Sequence, residues 1–142
     1  MASTIHRTYL IGIHPVHSAL VAAVVPLFVG ALLTDIAYAC TYLIQWQVFA
    51  SWLIVAALVI GAVAMVWAVV ALFRRGRRVG RDWIYALVVI AMWIVGFFDA
   101  LMHAKDAWAM MPEGLVLSAI ATVLAIAATW LALSAPRVEV SP

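Results

Sequence analysis

Charged residues are scarce in this chain of 142 residues, since only 10% of them are Asp, Glu, Lys or Arg, whereas 69% are hydrophobic. Soluble globular domains typically contain about 25% charged and about 45–50% apolar residues. The shortage of charge excludes an ordinary soluble domain, because a water-soluble fold could not bury so much apolar surface. The chain also has a single cysteine, Cys40, which excludes an internal disulfide framework.

The basic residues are concentrated in one segment, RRGRRVGR, which lies between Phe73 and Asp82 and contains five arginines. Lys and Arg beside membrane-spanning helices stay mainly on the cytoplasmic side. We therefore predict that this arginine segment, residues 74–81, faces the cytoplasm. The net charge of +2 comes largely from it, so the charge describes membrane topology and not a nucleic-acid surface.

Long apolar runs fill the rest of the chain. A helix needs about 20 predominantly apolar residues to cross the hydrocarbon core of a bilayer. Four stretches reach this length, so we predict an all-α integral membrane protein, a four-helix transmembrane bundle in which residues 1–142 form one domain. The predicted spans are residues 17–40, 49–73, 83–102 and 115–133.

The arginine segment also predicts the direction of each span. With this segment inside, the second span runs inward and the third outward, so both termini are expected in the cytoplasm. The connections around Gln45 and Asp106 are then outside. We predict a multi-pass protein of the bacterial inner (cytoplasmic) membrane, with the lipid bilayer as its immediate partner.

Polar residues gather at the predicted outer end of the bundle. A charged side chain in hydrocarbon costs about 2.5–3.5 kcal/mol on insertion scales, yet Asp35 and Asp99 lie within the first and third spans. Asp99 and His103 are four residues apart and so share a helix face, where a carboxylate can orient or protonate an imidazole. Asp106 and Trp108 follow in the segment DALMHAKDAW. We predict that these five residues form a cofactor-binding site.

A structural interpretation of the same cluster stays open. Near the membrane interface these groups could form only a network of salt bridges and hydrogen bonds that clamps the first and third helices together. For Asp35 the structural interpretation is favoured. For Asp99 with His103 both interpretations stand, because such pairs occur in quinone pockets and haem sites and also as plain structural contacts.

The motif HPVH predicts a second polar site, at the inner end of the first span. His14 and His17 are three residues apart and would face the same way on a helix, and imidazole is a good ligand for haem iron, zinc or copper. His14, His17 and His103 are therefore candidate haem-iron ligands. His17 and His103 should be nearly a bilayer apart, about 30 Å, so one haem could not take both. The alternative is that the HPVH histidines cap the helix or meet lipid headgroups.

No catalytic residue is predicted. Ser18, Ser51 and Ser118 lie in apolar helices, with no evident general base and no nucleophile-elbow pattern around them.

Three segments resemble a bacterial family of small four-helix inner-membrane proteins of unknown function: HPVHSALVAAVVPLFVGALLTDIAY, QWQVFASWL and GFFDALMHAKDAWAMMPEGLVLSAI. The resemblance covers residues 14–133, although this chain has Val48 where members of the family keep a polar residue. Members often accompany periplasmic quinoprotein (PQQ) dehydrogenases of the sorbosone or aldose type, or c-type cytochromes. The resemblance implies such a redox protein as a partner.

These observations together predict an inner-membrane subunit of a periplasmic redox system. It would pass electrons from a periplasmic quinoprotein dehydrogenase or c-type cytochrome toward quinone near Asp99 and His103, with haem b as a candidate carrier. A carboxylate–histidine pair can supply the protons that quinone reduction requires.

Two alternative functions remain. One is a cofactor-free structural anchor or accessory subunit of a larger membrane complex or homo-oligomer. The other is a small proton or solute pathway, in which Asp35 and Asp99 would form the relay. Their position near one end of the spans argues against the pathway, since transporter sites lie near the bilayer midplane.

Overall fold

The computed structural model describes residues 14–74, 80–105 and 107–134, apart from the side chains of residues 107 and 108. Within these residues the chain is helical and contains no strand. Four of its helices are long and apolar enough to cross a membrane, which confirms the all-helical fold with four candidate spans. The helices are α1 (Pro15–Thr41), α2 (Ile44–Arg74), α3 (Gly80–His103), the short α4 (Ala107–Met110) and α5 (Glu113–Leu133).

The four long helices form a ring in which each packs against two others. α1 and α3 both pack against α2 and α5, so α1 and α3 lie diagonally across the bundle. These two helices run in the same direction. The bundle end at which α1 and α3 terminate contains Asp35 and Asp99, and we call it the acid end. The opposite end carries Arg74, and we call it the arginine end.

Buried positions recur mainly at intervals of three and four residues along each long helix. This spacing is typical of helices that supercoil around one another. Large side chains on α1 and α3 fill the centre of the bundle, whereas α5 and most of α2, apart from Ile54 and Leu72, contribute small ones that let the helices approach closely. Buried large residues are Val21, Val24, Phe28, Val89 and Met92, and buried small ones are Ala57, Gly61, Ala64, Ala121, Ala125 and Ala128.

Local sequence explains the limits of α1. Pro15 occupies the first turn, where a missing N–H is harmless, and the His14 side chain caps the helix by accepting a hydrogen bond from the Val16 amide at 3.3 Å. The helix continues through Pro26. Its C-cap is Tyr42, whose left-handed backbone, with φ of 53°, directs its amide to the carbonyl oxygen of Tyr38. α2 begins two residues later.

Candidate functional site at the acid end

His103, the last residue of α3, is bound through both of its ring nitrogens. Its Nε2 lies 2.9 Å from Oδ1 of Asp35 on α1. Its Nδ1 lies 2.9 Å from the backbone carbonyl oxygen of Asp99, one turn earlier, and 3.1 Å from Oδ1 of the same residue. Both aspartates have no exposed surface, and His103 is 5% exposed. The imidazole is thus held between two buried carboxyl groups.

Ser118 of α5 joins the two carboxyl groups from the other side. Its Oγ lies 2.5 Å from Asp35 Oδ2 and 2.9 Å from Asp99 Oδ2. Gln47 of α2 completes the arrangement by donating from Nε2 to the backbone oxygen of His103 at 3.1 Å. Asp35, Gln47, Asp99, His103 and Ser118 form what we call the acid-end network. It contains one or more residues from each of the four long helices.

Met110 and Gly114 cover the acid-end network on its outward side, toward the end of the bundle. Met110, the last residue of α4, has no exposed surface. A Cβ atom on Gly114 would lie 2.8 Å from Met110 Cγ and 3.3 Å from Cε1 of His103. The absence of a side chain at Gly114 therefore lets α5, the methionine and the imidazole meet. As a result, the polar groups are enclosed by protein.

The arginine end has its own polar contact between α1 and α3. His17 is buried, and its Nε2 lies 2.6 Å from the hydroxyl oxygen of Tyr85. His14 is exposed, and the Trp67 ring on α2 lies 5.5 Å from the His14 ring and 5.7 Å from the His17 ring. Within the described ranges, no group of three or more His, Cys, Asp or Glu residues is arranged to hold a metal ion.

Residues 13–135 match the family described as Predicted membrane protein (DUF2231). The chain belongs to this family. The matched residues include all four long helices and the whole acid-end network. No curated protein and no solved structure matches the chain. Membership in this family supports the membrane assignment, and its description names no activity, cofactor or partner.

The structure of this family member brings together three of the residues predicted to form the outer site. Asp35, Asp99 and His103 are in direct contact, as their depth and spacing predicted. Asp106 and the side chain of Trp108 lie outside the described residues. Sequence reasoning missed two members of the network, Gln47 and Ser118.

The predicted haem ligands are distributed between the two ends. His14 caps α1, His17 bonds to Tyr85, and His103 bonds to both aspartates. A haem iron ligated by either buried histidine through Nε2 would have to displace Tyr85 or Asp35. Haem binding stays a prediction, and the observed hydrogen bonds compete with it.

Proposed function

We propose that the chain is a cofactor-free membrane subunit, an anchor or accessory component of a larger membrane complex. Its four helices are long and apolar enough to span a membrane, and its family is described as a membrane protein. One observation carries the proposal: the buried polar side chains at the acid end contact one another across the bundle. The polar groups therefore serve the protein's own assembly.

The choice between a binding site and a structural network depends on where the polar groups point. Ligand sites present a few polar groups to a cavity. In the acid-end network, the His103 nitrogens face Asp35 and Asp99, and the Ser118 oxygen faces both carboxyl groups. A quinone carbonyl could reach these groups only after an existing contact had broken. This arrangement favours an anchor over a quinone-reducing site.

The interior of the bundle also favours an anchor over a proton or solute pathway. Between the His17–Tyr85 contact and the acid-end network, the buried side chains of α1 are Val21, Val24, Phe28 and Ala31. Those of α3 over the same interval are Ala86, Val89 and Met92, with Gly96 beside them. Neither row offers a hydrogen-bonding side chain that could relay a proton between the two ends. α5 adds the buried Thr122, whose hydroxyl donates to the Ser118 carbonyl oxygen within its own helix.

The orientation belongs to the same proposal. The five arginines of residues 74–81 favour a cytoplasmic arginine end, which puts the acid end at the outer surface of a bacterial inner membrane and both termini inside. A partner on the outer side would then meet the connection between α1 and α2 and the connections on either side of α4. The exposed residues Tyr42, Gln45 and Lys105 lie there. The resemblance of the chain suggests a periplasmic quinoprotein dehydrogenase or c-type cytochrome as that partner.

A redox difference spectrum of the purified full chain, with quinone assayed in an organic extract of the same sample, tests the proposal. A cofactor-free subunit gives no haem Soret band, and its quinone content equals that of an unrelated membrane protein purified alongside. A Soret band that His14→Asn, His17→Asn or His103→Asn removes would overturn the proposal. Stoichiometric quinone lost in His103→Asn alone would do the same. Either result would favour the electron-transfer function instead.

A further inference from the structure

The acid-end network contains more short contacts than its hydroxyl and imidazole N–H groups can satisfy in one fixed pattern. A serine hydroxyl has one proton to donate, yet Ser118 Oγ lies within hydrogen-bonding distance of a carboxyl oxygen of both Asp35 and Asp99. One of the two contacts must therefore be made by a proton that a carboxyl group carries. The geometry thus requires one protonated aspartate.

The aspartate that carries the proton is identified by the two distances from Ser118 Oγ and by the surroundings of Asp99 Oδ1. The contact of Ser118 with Asp35 is 2.5 Å and that with Asp99 is 2.9 Å. Hydroxyl donors approach an ionised carboxylate to about 2.5–2.7 Å, so the shorter contact fits a hydroxyl donating to a charged Asp35. Oδ1 of Asp99 accepts no well-aligned hydrogen bond from the described residues. His103 Nδ1 lies 3.1 Å from it, but the hydrogen on Nδ1 is directed to the Asp99 carbonyl oxygen at 2.9 Å. A buried unbonded oxygen is far more costly on a carboxylate than on a neutral acid.

The imidazole contacts set the charge of His103. A backbone carbonyl can only accept, so Nδ1, which lies 2.9 Å from the Asp99 carbonyl oxygen, carries a hydrogen. Nε2 faces Oδ1 of Asp35 at 2.9 Å, and an ionised Asp35 requires a hydrogen there too. With both nitrogens protonated the ring is a cation.

We infer that the acid-end network is a neutral proton-binding site in which Asp99 is a protonated acid and Asp35 is a carboxylate paired with a protonated His103. Each of the four contacts that Ser118 and the His103 ring make with the two aspartates then has one hydrogen. The charges on Asp35 and His103 cancel, as burial in a low-dielectric interior favours. The Asp99 proton can pass to Asp35 through the Ser118 hydroxyl, which gives one proton as it takes the other, and the net charge stays zero.

Two isosteric substitutions separate the roles of the aspartates. Asp99→Asn supplies an amide that donates to Ser118 as the protonated acid does, so every contact survives. Asp35→Asn removes the carboxylate that balances the charge of His103. Thermal unfolding of the full chain in detergent should give Asp99→Asn a midpoint within about two degrees of the wild type and lower the midpoint of Asp35→Asn by several degrees, or abolish folding. Equal losses, the reverse order or an Asp99→Asn variant that does not fold would each overturn the inference.

Infrared spectroscopy of the wild-type chain in lipid reports the proton directly. At neutral pH we expect the carbonyl stretch of a protonated carboxylic acid, which Asp99→Asn removes and Glu113→Gln, at an exposed carboxyl group, leaves in place. Nitrogen-15 NMR of His103 should show hydrogens on both ring nitrogens. The inference fails if the wild type lacks the acid band, if the band survives Asp99→Asn, or if either nitrogen of His103 is unprotonated.

Discussion

The ring of Phe28 on α1 lies where a side chain of Gly96 on α3 would be. A Cβ atom on Gly96 would come within 2.8 Å of Phe28 Cζ and 3.3 Å of Leu58 Cδ2. Phe28 and Gly96 are 68 positions apart in the sequence. The residues of the hydrogen-bonded pairs His17–Tyr85 and Asp35–His103 are also 68 positions apart. One register therefore aligns α1 and α3 from end to end, and Gly96 permits it at the centre.

We expect Gly96→Ala to destabilise the bundle by about 1–3 kcal/mol, the usual cost of overpacking a filled core. Phe28 is 1% exposed, so its ring is surrounded by protein. The free energy of unfolding in mixed detergent micelles measures the effect. Gly80→Ala is the matched control, because nothing lies within 4 Å of a Cβ at Gly80, and it should change stability little. Phe28→Leu should partly rescue Gly96→Ala. If Gly96→Ala leaves the free energy of unfolding unchanged, the contact between residue 96 and the Phe28 ring can relax.

Ser118→Ala should cost about 1–3 kcal/mol, because two buried carboxyl groups would lose their common partner. Ser51→Ala deletes the same atom from α2, where the hydroxyl donates to the Gln47 carbonyl oxygen within its own helix, so it should be within about 0.5 kcal/mol of the wild type. Unfolding of both variants under identical conditions gives the comparison. If the two serines prove equivalent, Ser118 does not hold the helices together.

Tyr85→Phe should cost about 1 kcal/mol, because it deletes the hydroxyl that contacts His17. Its effect should add to that of Ser118→Ala, since distant sites with no shared partner behave independently. The Asp35 and His17 contacts are 18 residues apart along α1, about 27 Å at 1.5 Å per residue. A double-mutant cycle measured by unfolding provides the test. A coupling energy above about 0.5 kcal/mol would mean that the two ends communicate.

The orientation can be tested with single cysteines in a Cys40→Ser background. Gln45 and Gly80 are both exposed and lie at opposite ends of the bundle. With the arginine end inside, a membrane-impermeant maleimide should label Gln45→Cys in spheroplasts and label Gly80→Cys only after permeabilisation. The opposite pattern would reverse the orientation and place the acid end in the cytoplasm.

The fold was predictable from composition because a helix that crosses a bilayer must be apolar on every face, and the runs that satisfy this condition are long and separated by clear breaks. The meeting of Asp35 with Asp99 and His103 was predictable for a related reason. Charged groups inside apolar helices have few partners to choose from, and the direction of the helices brings these three to one level.

Ser118 and Tyr85 were not predictable in the same way. A serine or tyrosine in an apolar helix can face lipid or protein, and its residue type does not distinguish the two. The pattern of small residues at 114, 118, 121, 125 and 128 could have placed Ser118 on the buried face of α5. The partnership of Tyr85 with His17 needed the register of α1 against α3, which depends on tertiary contacts such as that of Phe28 with Gly96.

The shared register of α1 and α3 has a consequence for the surrounding lipid. Its two hydrogen-bonded pairs, His17–Tyr85 and Asp35–His103, are separated by about five helical turns, or about 27 Å. This distance is close to the roughly 30 Å thickness of a bilayer's hydrocarbon layer. The distance between the His17–Tyr85 and Asp35–His103 contacts therefore matches the hydrocarbon thickness of an ordinary membrane. In a much thinner membrane one of these two contacts would lie among headgroups and water, where a hydrogen bond contributes least to holding helices together.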